Sequence, residues 1–105
     1  MSMTVVVTRD VADRYRGFLS SVMPEIAPGV YVSTDMTSGV RTRVWSVAAL
    51  WWDELPGGSI LMAYADASAP GRLGLHVLGL PPVSLAEVDG VRLVLRPFDP
   101  PGIRE

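Results

Sequence analysis

Residues 8–19 read TRDVADRYRGFL and set one carboxylate, Asp10, among Arg9, Arg14 and Arg16. Two chemistries fit those residue types. A carboxylate offers the hard oxygens that magnesium takes in octahedral geometry, which would make Asp10 the metal ligand of a nuclease. The planar fork of arginine instead matches phosphate oxygens, which would make the cations the working part and leave Asp10 as a helix cap. Asp10 immediately precedes an apolar helical periodicity that starts at Val11, and Asp13 adds a negative charge to the first turn. Capping is therefore the first expectation for Asp10. Arg9 weighs against a metal there, because it fixes a positive charge beside the supposed ion.

Other chemistries find less support. His76 is the single histidine and there is no cysteine, so a zinc site or a lone general base is not expected and His76 reads as structural or exposed. The serines have no adjacent base for a hydrolytic triad. The PGG and APGR turns lack the spacing and lysine of a phosphate loop. Trp45, Trp51 and Trp52 are spaced for packing along a helix and read as core.

The elements that must position these residues follow from apolar spacing. Residues 3–8 (MTVVVT) read as a short buried strand. Val11, Tyr15, Phe18, Leu19 and Val22 then recur on one helical face. Pro24, Pro28 and Gly29 end that helix and lead into the strand GVYVS. From Thr37 or Ser38 a longer helix carries Val40, Val44, Val47, Ala48, Trp51 and Leu55 on one face, until PGG stops it at 56–58. SILMAYA (59–65) and RLGLHVLGL (72–80) read as a hairpin, and GVRLVL (90–95) as a last strand after a Pro-Pro break and the loop VSLAEVD.

This order predicts an α+β fold of the ferredoxin-like kind, a sandwich with both helices on one face of a small, mainly antiparallel sheet. One domain is expected over 1–96, with 97–105 as an extended or disordered, proline-rich tail. The strand runs are apolar on both faces, so the face without helices needs a cover. A homodimer formed through the sheet side is the economical solution.

Composition sets the limits. The chain has 105 residues, 49% of them hydrophobic and 19% charged, too apolar for disorder and long enough for one core. No apolar run approaches the roughly 20 residues of a membrane span, and MSMTVVV carries no secretory signal, so no membrane and a cytoplasmic setting are expected. A net charge of −2 means that any nucleic-acid binding must come from a local patch. All nine basic residues are arginines.

Several segments together carry a resemblance. MSMTVVVT, RYRGFL, APGVYVS, RVW and VDGVRLV, in this order and spacing, resemble the small universal CRISPR-associated adaptation protein in its type I-E form, over residues 1 to about 96. The resemblance implies a ferredoxin-like homodimer that acts in CRISPR adaptation, or spacer acquisition. There it is the central scaffold that holds duplex DNA by its backbone, independently of sequence, and bridges dimers of the larger CRISPR-associated integrase. The family is also described as metal-dependent endonucleases, acting on RNA or DNA through an acid just after the first strand. Asp10 of each subunit would then hold magnesium across the twofold axis, whereas the scaffold role requires no cofactor.

Residue by residue, Arg14 and Arg16 match the R-x-R-G segment whose arginines contact phosphates. Arg9, Arg41 and Arg43 would extend that patch or decorate a solvated face. The region from about 80 to 97 resembles the part that docks the integrase, and there Val91, Leu93, Leu95 and Pro97 would meet the partner. The chain departs from its relatives at Arg9, where they often have an acid. It departs again at Pro81 and Pro82, where they often have basic residues.

Overall fold

The computed structural model describes residues 3–80 in full and the backbone of residues 84–88 and 91–95. In Thr4–Arg9 (β1) the side chains of Thr4, Val6 and Thr8 are buried, while Val5 and Val7 are half-buried on the other face, the alternation of a strand. Asp13–Val22 (α1), Glu25–Ala27 (β2), Val30–Ser33 (β3), Ser38–Trp52 (α2), Ser59–Ala65 (β4) and Leu73–Leu78 (β5) follow. These strands form one antiparallel sheet in the order β2-β3-β1-β4-β5. The first four positions, with a helix inside each half, give the ferredoxin-like α+β arrangement, and β5 widens it by a hairpin from β4.

Val6 sits between Tyr31 of β3 and Met62 of β4. These residues form one core with Ile60, with Tyr15 and Leu19 of α1, and with Val44 and Ala48 of α2, so both helices cover the same face. Each large apolar side chain sealed there contributes on the order of 1.5–3 kcal/mol. Between the helices, Trp51 meets Tyr15 and Phe18 edge-on, at ring separations of 5.8 and 5.4 Å. The Tyr15 hydroxyl donates to the Leu55 carbonyl at 3.0 Å, just past the end of α2. On the opposite face, Val5 lies between Val32 and Ala63, and Val7 between Val30 and Leu61. That face is apolar and carries neither helix.

The helix boundaries correct one expectation. Asp10 does not cap α1. The residue before the helix is Ala12, which makes no side-chain cap, and Asp10 stands two positions earlier at φ 56°. The chain needs a left-handed residue to leave β1, and Asp tolerates that conformation better than most. Asp13 is the acid in the first turn, as expected. For α2 the expected start holds: Thr37 Oγ1 accepts from the Val40 N–H at 3.2 Å. Val40 itself, read onto the buried face, is exposed, because the packed face begins a turn later at Val44.

Two strands differ from the sequence reading. β2 is exposed along its length and lies between Pro24 and Pro28, so it has no alternation to reveal it. Its pairing with β3 makes it a strand. Ser84–Val88 (β6), read as a loop, pairs antiparallel with Val91–Leu95 (β7) in a separate two-stranded ribbon. Residues 97–105, read as the tail, and Pro97, Arg96, Pro81 and Pro82 lie outside the described residues.

Gly58 has φ +72°, and a Cβ there would strike the carbonyls of Arg9 and Asp10. Gly17, inside α1, has open space around it. Gly58→Ala should destabilise the fold by about 1–3 kcal/mol, whereas Gly17→Ala should stabilise it by about 0.5–1 kcal/mol. Urea unfolding of the two variants checks both signs.

Candidate functional site

The carboxyl end of β1 is held by two turns. Thr8 donates both its N–H (2.7 Å) and its Oγ1 hydroxyl (3.1 Å) to the Gly29 carbonyl. Gly29, at φ +75°, lies so close that a Cβ would come within 2.6 Å of the Thr8 carbonyl oxygen. Gly58 presses on the next two carbonyls from the other side. Asp10 is left exposed at the rim of a shallow cleft of about 220 Å³, lined also by Thr8, Val11, Arg16, Pro28 and Gly29. One chain offers this cleft a single carboxylate and a guanidinium. Among the described residues no three His, Cys, Asp or Glu side chains gather to hold an ion. The donor set of one chain therefore does not fit magnesium, which would need oxygens from elsewhere.

The two arginines of α1 diverge. Arg14 lies over the Trp51 ring with its guanidinium carbon 4.1 Å from the centroid, toward α2. Arg16 turns toward the β2–β3 hairpin, where it meets Glu25 Oε2 at 3.7 Å, half exposed to solvent. The same Glu25 oxygen accepts the Gly29 N–H at 2.8 Å. The neighbouring Tyr31 hydroxyl, and after it the Glu25 carboxylate, hold the Arg16 pKa above its ordinary value. That hydroxyl is buried and falls short of hydrogen-bond geometry with any partner among the described residues. A solvent-exposed pair of this length is worth about 0–1 kcal/mol, and an exposed cation stacked on a ring about 0.5–1 kcal/mol. A phosphate, which gives arginine two charge-assisted hydrogen bonds, competes with either.

Arg9 and Arg43 are exposed and make no ion pair among the described residues. Arg41 lies 3.8 Å over the Tyr64 ring, at the opposite end of α2 from Trp51. The cations thus form no single cluster. They are distributed along the helical layer and around the end of β1.

The sequence left His76 without partners, and here the structure adds the most. The Tyr64 hydroxyl and His76 Nε2 are hydrogen-bonded at 3.0 Å, and the imidazole stacks on Trp45 with centroids 5.2 Å apart. The β4–β5 register sets Met62 opposite His76 and Tyr64 opposite Gly74. Tyr64 and His76 are therefore diagonal neighbours on the helix-covered face. The hairpin spacing was the signal that could have found the pair. Val91, Leu93 and Leu95 alternate along β7 and so share one face of the ribbon.

Residues 3–93 match the family described as CRISPR-associated protein (Cas_Cas2CT1978). The match takes in both helices, the five-stranded sheet and the start of β7.

Burial, and then the charge of Arg41, hold the His76 pKa below its ordinary value near 6.5. The unfolded chain accepts this proton more readily than the fold, so stability should fall as pH drops below about 6.5 and level off beneath the folded pKa. His76→Phe keeps a ring against Trp45 and should remove this component. Urea midpoints at neutral and mildly acidic pH compare the two proteins.

Proposed function

As the chain belongs to this CRISPR-associated, Cas2-type family and so to CRISPR adaptation, we propose that it is the central dimeric scaffold of spacer acquisition, in the type I-E form. The observation that carries the reading is the state of Arg14 and Arg16. Both are exposed on α1 and are held by weak partners that a phosphate can displace. Two forked cations on each chain become a line of four in a twofold dimer, suited to the backbone of a rigid duplex. Arg9 and Arg43, exposed and without an ion pair, extend the patch. Such contacts fix position without reading bases, so the DNA is bound independently of sequence.

The apolar sheet face around Val5, Val7, Leu61 and Ala63 supplies the dimer surface. The β6–β7 ribbon, with Val91, Leu93 and Leu95 on one face, meets the larger integrase, to whose sheet it can add backbone hydrogen bonds. Pro97 belongs to the same docking segment. Among the described residues no helix is long and apolar enough to cross a membrane. The scaffold works in the cytoplasm, where the DNA is, and requires no cofactor.

A second reading is favoured by one observation: the Asp10 carboxylate is not engaged in capping and stands exposed at the cleft. In that reading paired Asp10 residues in a dimer serve a magnesium-dependent endonuclease.

Replacing Arg14 and Arg16 together by alanine should weaken duplex binding by the chain with its integrase, and should lower the salt slope of log K by ~0.9 for each lost phosphate contact. An unchanged slope would remove both arginines from the interface. Divalent-dependent cleavage that disappears in Asp10→Asn would move the conclusion to the nuclease.

Light scattering of the pure protein at micromolar concentration should give the dimer mass. Ala63→Glu, which sets a charge in the middle of the apolar face, should give the monomer.

A further inference from the structure

Arg41 differs from the other arginines in how it is held. Its guanidinium carbon lies over the Tyr64 ring, 3.8 Å from the centroid, the Tyr64 hydroxyl is hydrogen-bonded to His76, His76 stacks on Trp45, and Trp45 stands one turn beyond Arg41 on the same helix. The four side chains form a linked series that joins α2 to β4 and β5. Its geometry has little slack, because a Cβ at Gly74 would run into the Tyr64 ring. Arg41 is half-buried, and its side chain makes no hydrogen bond or ion pair among the described residues. Asp66 feels the Arg41 charge, but its Oδ1 accepts the Ser68 N–H at 3.0 Å and the Ser68 hydroxyl at 2.7 Å. The guanidinium is thus seated over a ring while its N–H donors remain unused among the described residues. That is the arrangement of a fork fixed in advance for an anion: the aromatic face restricts the rotamers, and the N–H groups remain for bidentate bonding.

We propose that Arg41 is a separate contact for a phosphodiester of duplex DNA and that Tyr64, fixed by His76 and Trp45, is its positioning residue. This rests on the scaffold reading above. Trp51, which carries Arg14, lies ten residues beyond Arg41 on α2, on the order of 15 Å along the helix axis. A duplex presents a charge about every 1.7 Å of its own axis. Two forks this far apart meet different phosphates and do not compete for one. The ring stack also explains why a polar cluster is built into the half-buried end of the β4–β5 hairpin, where apolar packing alone would serve the fold.

The test is binding of the full chain, alone and with its integrase, to a blunt duplex of mixed sequence, followed by fluorescence anisotropy over a series of salt concentrations. Arg41→Gln should lower the salt slope by ~0.9 per contact. Tyr64→Leu changes no charge, yet by removing the face beneath Arg41 it should weaken binding several-fold. Tyr64→Phe, which restores that face, should recover most of the affinity, a rescue that general damage to the fold would not predict. Thermal melting of the variants identifies any that fail to fold, and Arg41→Gln, which keeps the polarity and most of the length of the side chain, decides the matter alone if Tyr64→Leu does. If the Arg14 and Arg16 double variant lowers the slope while Arg41→Gln leaves it at the unmodified value, the Arg41 assignment is wrong and the scaffold reading stands. If the unmodified protein binds no duplex, the scaffold reading fails and takes this inference with it.

Discussion

The carbonyl of Gly29 accepts two hydrogen bonds from one residue, Thr8, and the rest of the structure is arranged around that fixed end of β1. β1 is the middle strand, paired with β3 on one side and β4 on the other. Its last residues are closed in by Gly29 on one flank and Gly58 on the other, so the chain must leave through a left-handed residue. Asp10 supplies it. The helix then starts at Asp13, and this phase turns Tyr15 and Leu19 into the core. With those two inward, Arg14 and Arg16 fall on opposite flanks. The divergence of the cations is thus a consequence of how the strand ends.

The charge economy of the molecule follows a related logic. The sequence is slightly acidic, yet the arginines are not neutralised one by one. A single ion pair, Arg16 with Glu25, joins oppositely charged side chains among the described residues. Two other cations rest on aromatic faces, Arg14 on Trp51 and Arg41 on Tyr64. A ring restrains a guanidinium without cancelling its charge. The charges of Arg14 and Arg41 therefore stay uncancelled by an ion pair although the overall balance is negative.

How much of this could be read from the sequence depended on the kind of signal. The start of α2 was legible from the Thr37 cap and the apolar run behind it, though the helix ends at Trp52 and not at the PGG turn, and the β4–β5 hairpin was legible from two strand runs around a Pro-Gly turn. β2 was not, because three exposed residues between prolines have no periodicity and owe their strand character to a neighbour. β6 was legible in principle: Asp89 and Gly90 separate Val88 from Val91 by the two-residue spacing that signals a hairpin. The Pro-Pro break just before it reads as the start of a loop and masks that signal. At the site, the exposure of Arg14 and Arg16 was visible in the helical phase, whereas the role of Asp10 depended on glycines 19 and 48 residues away in sequence. Local capping rules cannot register such distant constraints. The partners of His76 escaped for the same reason, since they come from another strand and another helix.

The two prolines around β2 have one further effect. A sheet grows when an outer strand offers its N–H and C=O groups to a newcomer, and proline has no N–H to offer. Pro24 and Pro28 close off both ends of the outer strand on that side, and Glu25 between them sets a charge at its start. On the other side, β5 ends the sheet with no proline along its length. The two margins of the sheet are thus unlike: the prolines that resist extension at β2 have no counterpart along β5.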